Sequence, residues 1–376
     1  MPDTPIAAYD AWLRSRFIDL NTGLEEAYFA ARDDQIPGHD APKDAILREG
    51  AALIARIDDV PRDDGDRYKL LGAVGFHLAA CARHGVGDAT VLAPVWTLAR
   101  LLGSALDVAP RFVFSHQSLH NPAVADVFHM FTTLADEAVF IIRNGEAVLA
   151  YRRAAHALSA VASMGVSNPM ATYLFEDATA ALGDVLRFNQ ALSRELDPER
   201  FYVNIRPYFT PHVVGGTEFR GVNAGDFAAI NVVDLLLGLC EARDPFYQGV
   251  LAEKRPYLPP GDAEEIRAVL PTASLLDRFL DETASGNPSP VLRRNAELFL
   301  GVCRAHGAAY AYHHHRLVAD FIEKPATDRP TPAGSSSGPP MEVVLGMLGR
   351  LADLRAARDK PGTARERLDR LRNLLG

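Results

Sequence analysis

Three consecutive histidines, His313, His314 and His315, stand in AYAYHHHRLVADF, a stretch whose other residues repeat at the spacing of an amphipathic helix. Helical sequence continues on both sides, so the run is not a purification-tag remnant, which would sit at a terminus. Successive side chains on a regular α-helix point about 100° apart, so the three cannot converge on one metal ion. With His314 as reference, Cys303, Gly307, Tyr310, Leu317 and Phe321 fall within roughly 60° of it, and His313 and His315 stand about 100° to either side. Arg294, Asn295, Arg316 and Glu323 take the opposite face. The wheel thus selects His314 as the inward histidine. Two chemistries fit it. One is a core imidazole satisfied by a hydrogen bond. The other is an axial ligand of a haem, for which a neutral imidazole projects from a rigid helix into an apolar slot and a small neighbour such as Gly307 leaves room for a flat ring.

Arg206 is the second candidate. It follows the apolar run FYVNI in a segment, 201–260, dense in aromatics, prolines and glycines. Either its stem packs at a helix end and its head pairs with a core acid such as Asp234, or its guanidinium presents a fork to a carboxylate.

The elements that would position these residues are helices. Apolar residues recur at helical spacing nearly throughout, with no alternating β-branched run, which predicts an all-α fold. Helices are predicted over 5–20, 44–57, 67–83, 88–105, 122–142, 145–163, 169–196, 226–241, 245–255, 262–282, 288–323 and 340–356. The proline-containing stretch 107–122 is expected to cross from a small N-terminal helical domain, 1–121, to a larger one, 122–376. PATDRPTPAGSSSGPP, 325–340, is too rich in proline and glycine for a helix and is expected to be a mobile loop.

With 376 residues, 48% of them hydrophobic, the chain can bury a sizeable core. Lys plus Arg number 39 against 48 Asp plus Glu, for a formal charge of -9, and the basic residues are scattered, which argues against nucleic acid as a partner. No signal-peptide pattern opens the chain, and no apolar run reaches the roughly 20 residues that span a bilayer; a cytoplasmic protein without a membrane partner is expected. Cys81, Cys240 and Cys303 lie far apart, without CxxC spacing, and are expected to be reduced and mostly buried.

FYVNIRPYFTPHVVGG at 201–216, extended by RPYLPP at 255–260, resembles the monodechloroaminopyrrolnitrin synthase-like family. More remotely the chain is similar to the indoleamine and tryptophan 2,3-dioxygenases, helical haem enzymes acting on tryptophan-type substrates. ADEAVFIIRN at 135–144 resembles the distal-helix motif of the tryptophan dioxygenases, HHRLVADFI at 314–322 their proximal-histidine helix, and AGSSSG at 333–338 the loop that closes over substrate.

The resemblance implies an indoleamine 2,3-dioxygenase-like helical fold with a haem-binding C-terminal domain. It also implies His314 as proximal ligand of a haem b (iron protoporphyrin IX), with O2 as co-substrate. Arg206 falls where the family places a substrate-carboxylate arginine and Phe140 at an aromatic position of the distal pocket. Asn144 takes the place of a distal histidine or serine in catalysis. Ser337 and Gly338 fall on the loop facing the ligand's amino-acid end. Two departures stand out. Ala311 occupies the position where close relatives carry an arginine near a haem propionate, and no distal histidine is present. The expected function is a haem-dependent mono- or dioxygenase, or an oxidative-rearrangement enzyme, for an aromatic amino acid of the tryptophan or indole kind in secondary metabolism. The alternative is a non-catalytic haem-binding or sensor protein. A homodimer is left open.

Overall fold

The computed structural model describes residues 4–33, 38–284, 286, 288–324 and 341–375, except the side chain of Met341. The first helix, α1 (Pro5–Trp12), passes through a π-helical turn, Leu13–Phe17, into α2 (Ile18–Ala31). Then come α3 (Asp40–Ile54), α4 (Asp64–Arg83) and α5 (Ala89–Leu106). The Asp63 and Asp88 side chains begin α4 and α5 by accepting the Asp66 N–H at 3.1 Å and the Thr90 N–H at 2.8 Å. α4 is buried on every side from Leu70 to Cys81, the pattern of a helix at the centre of a core rather than on its surface. α5 is long and apolar enough, by length and composition, to cross a membrane, and its Leu92, Val95, Leu98 and Leu102 pack in this same core.

The second group contains α6 (Phe114–Gln117), α7 (Ala135–Met164), α8 (Ala171–Glu195), α9 (Pro198–Arg200) and α10 (Ala228–Leu237). It continues through α11 (Pro245–Lys254), α12 (Asp262–Val269), α13 (Leu275–Ala284) and α14 (Pro290–Tyr312). A π-helical segment, His313–Glu323, extends α14, and α15 (Met341–Arg355) and α16 (Arg365–Leu375) close the chain. α7 and α8 fold back on each other across Gly165, whose φ of +94° a side chain would rarely adopt. Alanines at 154, 157, 171, 178 and 181 are buried in the core they share with α14, and such small residues let helix backbones approach closely.

Among the described residues the regular structure is helical save one hairpin and an isolated bridge between Val124 and Val127. β1 (His212–Val214) pairs antiparallel with β2 (Thr217–Phe219), and Gly215 and Gly216 turn between them with φ of +58° and +84°, the signs a tight primed turn requires. The sequence carried this signal in VVGGT, but the strands are three residues each, too short for an alternation to show.

Several predicted boundaries are corrected. The helices expected at 122–142 and 145–163 are one helix, α7, and 122–134 is not helical. The helix begins only at Ala135, and buried Glu137 accepts the backbone N–H groups of Phe131 and Thr132, both at 2.8 Å, and so holds the preceding irregular stretch across the helix start. The helix expected over 262–282 breaks between Val269 and Leu275, and α16 was not predicted at all. Asn295, expected on the outer face, is fully buried and donates to the Val166 carbonyl at 2.8 Å. In the crossing segment, fully buried Arg111 donates to the carbonyls of Phe112, Thr210, Phe219 and Arg220, which fastens the hairpin to residues 107–122.

Candidate functional site

On the inward face of α14 and its extension stand His306, Tyr310 and His313, spaced four and three residues apart. Tyr310 and His313 open onto a cleft whose other walls come from α7 (Asn144, Ala147, Val148, Tyr151), α10 (Ile230, Asn231), α11 (Val250, Lys254) and α15 (Leu348, Leu351, Arg355). The narrow interior holds about 120 Å³, and the whole cleft about 920 Å³ with the part open to solvent.

His313 is the histidine of the run that reaches this cleft. Its ring lies 5.9 Å from that of Tyr310, nearly parallel, and its Nδ1 is buried without a hydrogen-bond partner. Burial, helped by the Arg355 charge and then by His314, pushes its pKa down to about 4, so the imidazole is neutral at physiological pH. His314 does not reach the cleft. Its ring packs 4.8 Å from that of His315, with Nε2 turned to Gly349 of α15, and His315 Nε2 lies 2.9 Å from Arg358. Of the run, His313 and not His314 lines this cleft, although the Nδ1 atoms of both are buried without a hydrogen-bond partner.

Past His313 the helix type changes, and with it the course of the buried stripe. From His313 onward the backbone bonds i to i+5, which lowers the rotation to roughly 82° per residue. At that pitch Leu317 and Phe321 fall about 115° and 145° from His314 but about 30° and 65° from His313. Buried Leu317 and Phe321, the very residues that centred the wheel on His314, in fact continue the stripe of its neighbour.

Beneath the cleft lies a charged cluster that the sequence did not reveal. Asp234 of α10 accepts from Arg355 Nε at 2.9 Å and Nη2 at 2.6 Å, from His306 Nε2 at 2.8 Å and from the Tyr247 hydroxyl at 2.8 Å. Burial acts to raise the Asp234 pKa, but the Arg355 guanidinium and the His306 hydrogen bond outweigh it and hold the carboxyl well below its usual range. Arg355 also lies over the Tyr310 ring, 4.1 Å from its centroid, so the cluster braces the face that bears His313. The spacing of His306, Tyr310 and His313 on one helix was a usable signal; the partners, 72 and 121 residues apart from Asp234, were not.

The remaining expected residues divide. Asn144 lines the cleft, its amide donating to the Phe140 carbonyl of its own helix at 2.8 Å. Phe140 is not on the cleft. It joins an aromatic cluster with Phe201 at 5.1 Å, Phe209 at 5.5 Å and Phe114 at 5.9 Å. Arg206 is likewise off the cleft, its guanidinium 5.1 Å from the Tyr202 ring, and Asp234, offered as its acid partner, is taken by Arg355 and His306. Ser337 and Gly338 lie outside the described residues. Cys81, Cys240 and Cys303 are buried free thiols.

Long helices around a cleft with one neutral imidazole in its wall define a helical ligand-pocket protein. Across residues 3–375 the chain matches the family described as monodechloroaminopyrrolnitrin synthase PrnB, and it belongs to that family of oxidative enzymes, as the 201–216 motif led one to expect. It is also similar to a myoglobin of Haliotis madaka, 24% identical over 251 residues that make up 61% of this chain; the chain spans 63% of the length of that relative.

Proposed function

We propose that the protein is a haem-dependent oxygenase of secondary metabolism acting on an aromatic amino acid of the tryptophan or indole kind. The observation that carries this reading is His313: a neutral imidazole in the wall of a cleft, the form in which histidine ligates iron. The residues present fit a haem. His313 would hold the iron, and Ala147, Val148, Leu348 and Leu351, which line the same cleft, would supply apolar surface for the macrocycle. Family membership supports oxidative chemistry, and the similarity to a protein named myoglobin supports the cofactor. When bound, haem b supplies oxygen activation.

The chain supplies position. Asn144 projects into the cleft from α7 and carries no base near neutral pH, so its contribution is a hydrogen bond. The substrate-carboxylate role that the family resemblance implies for Arg206 would have to be filled from outside the cleft, where Arg206 lies over the Tyr202 ring and Phe140 packs with Phe201 and Phe209. Holding the aromatic ring by its side chain fixes which atoms react. A non-catalytic carrier is the second reading, favoured by the myoglobin similarity alone.

The experiment is a Soret spectrum of the purified, haemin-supplemented protein, followed by mass spectrometry of products from tryptophan and substituted indoles under oxygen. A histidine-ligated spectrum with one or two added oxygens, or a rearranged skeleton, is expected. Haem bound without any product would select the carrier, and no Soret band would remove both readings.

A further inference from the structure

Three cations among the described residues line the cleft: Arg220, Arg355 and Lys254. Arg355 is matched by Asp234 at 2.6 Å, and Arg220 by Asp226 at 2.8 Å and Glu253 at 3.4 Å. Lys254 differs. It ends α11, is 8% exposed, and its Nζ donates to two neutral acceptors, the Phe227 carbonyl at 3.0 Å and Asn231 Oδ1 at 2.5 Å. Among the described residues no carboxylate forms an ion pair with it. An ammonium has three N–H donors, and a buried charge is costly unless paired, so the cleft contains an ionisable amine for which none of the described residues supplies a carboxylate partner.

We propose that Lys254 is a carboxylate-binding site: its Nζ takes an oxygen of a carboxylate brought into the cleft by a ligand, either a propionate of the porphyrin or the carboxyl of an aromatic amino acid. The proposal rests on the cleft being the cofactor and substrate site. Its geometry is prepared, because Asn231 is itself held by the Tyr247 hydroxyl, which bonds Asp234, so the lysine head is tied to the buried cluster that braces His313.

The charge state agrees with this role. Burial lowers the Lys254 pKa to about 7; Asp226 and Asp234 work against that and Arg355 and Arg220 with it. An incoming carboxylate favours the ammonium, so binding at pH 8 should draw close to one proton from solution and binding at pH 6 far less.

The test compares wild type with Lys254→Met and Lys254→Arg in two arms. In the first, apoprotein is titrated with haemin and with haemin dimethyl ester, followed by the Soret band. In the second, the protein is titrated calorimetrically with tryptophan and with tryptamine. Wild type should prefer the free carboxylate in at least one arm. In that arm Lys254→Met should reduce the preference by about tenfold or more while binding the ester or amine as wild type does, and Lys254→Arg should keep most of it. The arm that responds names the source of the carboxylate.

Proton uptake by wild type in buffers of different ionisation enthalpy needs no variant, and should accompany the acid and not the ester or amine. The proposal is overturned if Lys254→Met retains the wild-type preference in both arms, or if wild type has no preference and takes up no proton. Failure to bind either porphyrin would instead defeat the haem reading, and the calorimetric arm alone would then decide for or against Lys254.

Discussion

Arg355 and Asp234 face each other through two guanidinium nitrogens and both carboxylate oxygens at 2.6 to 3.1 Å, with the side chains 4% and 0% exposed. Removing one partner of such a pair leaves a buried charge. Arg355→Met should lower stability by about 3–5 kcal/mol, read by urea unfolding, and Asp234→Leu combined with Arg355→Met should recover part of that loss, because no charge is then stranded. Equal losses in the single and double variants would mean that Arg355 acts through its packing on Tyr310.

The histidine run separates by position. His313→Ala should lose most bound haem, whereas His314→Ala and His315→Ala should keep the wild-type spectrum, since their rings lie toward α15 and Arg358. Imidazole added to His313→Ala should restore a histidine-like band, because the vacated space opens on the cleft. A spectrum lost in His314→Ala and kept in His313→Ala would reverse the assignment.

Arg206→Leu should weaken tryptophan binding by at least about tenfold and leave tryptamine nearly unchanged, with haem content intact. Side-by-side spectral titrations check this. If both ligands weaken alike, the cation over Tyr202 is structural and the substrate carboxylate is held elsewhere.

Glu137 gathers four donors, from Phe131 N, Thr132 N, Thr132 Oγ1 and Gln117 Nε2, at 2.7 to 2.8 Å. Glu137→Gln preserves shape but turns an NH2 group toward donors. It should cost about 2–3 kcal/mol at neutral pH and raise amide exchange in the first turn of α7. No change in unfolding midpoint would show that water replaces the lost acceptor.

Much of the fold was legible in the sequence because helical periodicity is a local property. The apolar stripes of α3, α4, α5, α8 and α11 announce themselves within a few turns, and the capping aspartates mark where several of them start. The family was legible too, through the crowded aromatics and prolines at 201–216. α16 escaped because its three buried leucines, Leu368, Leu371 and Leu375, stand among charges, and their stripe makes sense only against α13. α7, predicted as two helices over 122–142 and 145–163, runs unbroken through Gly145, which a helix carries at modest cost.

The site was only half written in the sequence. Residue types, the histidine run and the run's place on an inward helix came from the chain alone. Where the buried stripe runs beyond His313 depended on a change to i+5 bonding over His313–Glu323, a shift of backbone pairing that has no compositional mark. Likewise Asp234, His306 and Arg355 are ordinary residues until folding brings His306 and Arg355 each within 3 Å of Asp234, and Lys254 becomes distinctive only when the other cations of the cleft are seen to have their carboxylates. Tertiary structure decided these points because pairing and burial are relations between distant segments, and a local pattern contains no record of what lies across the core.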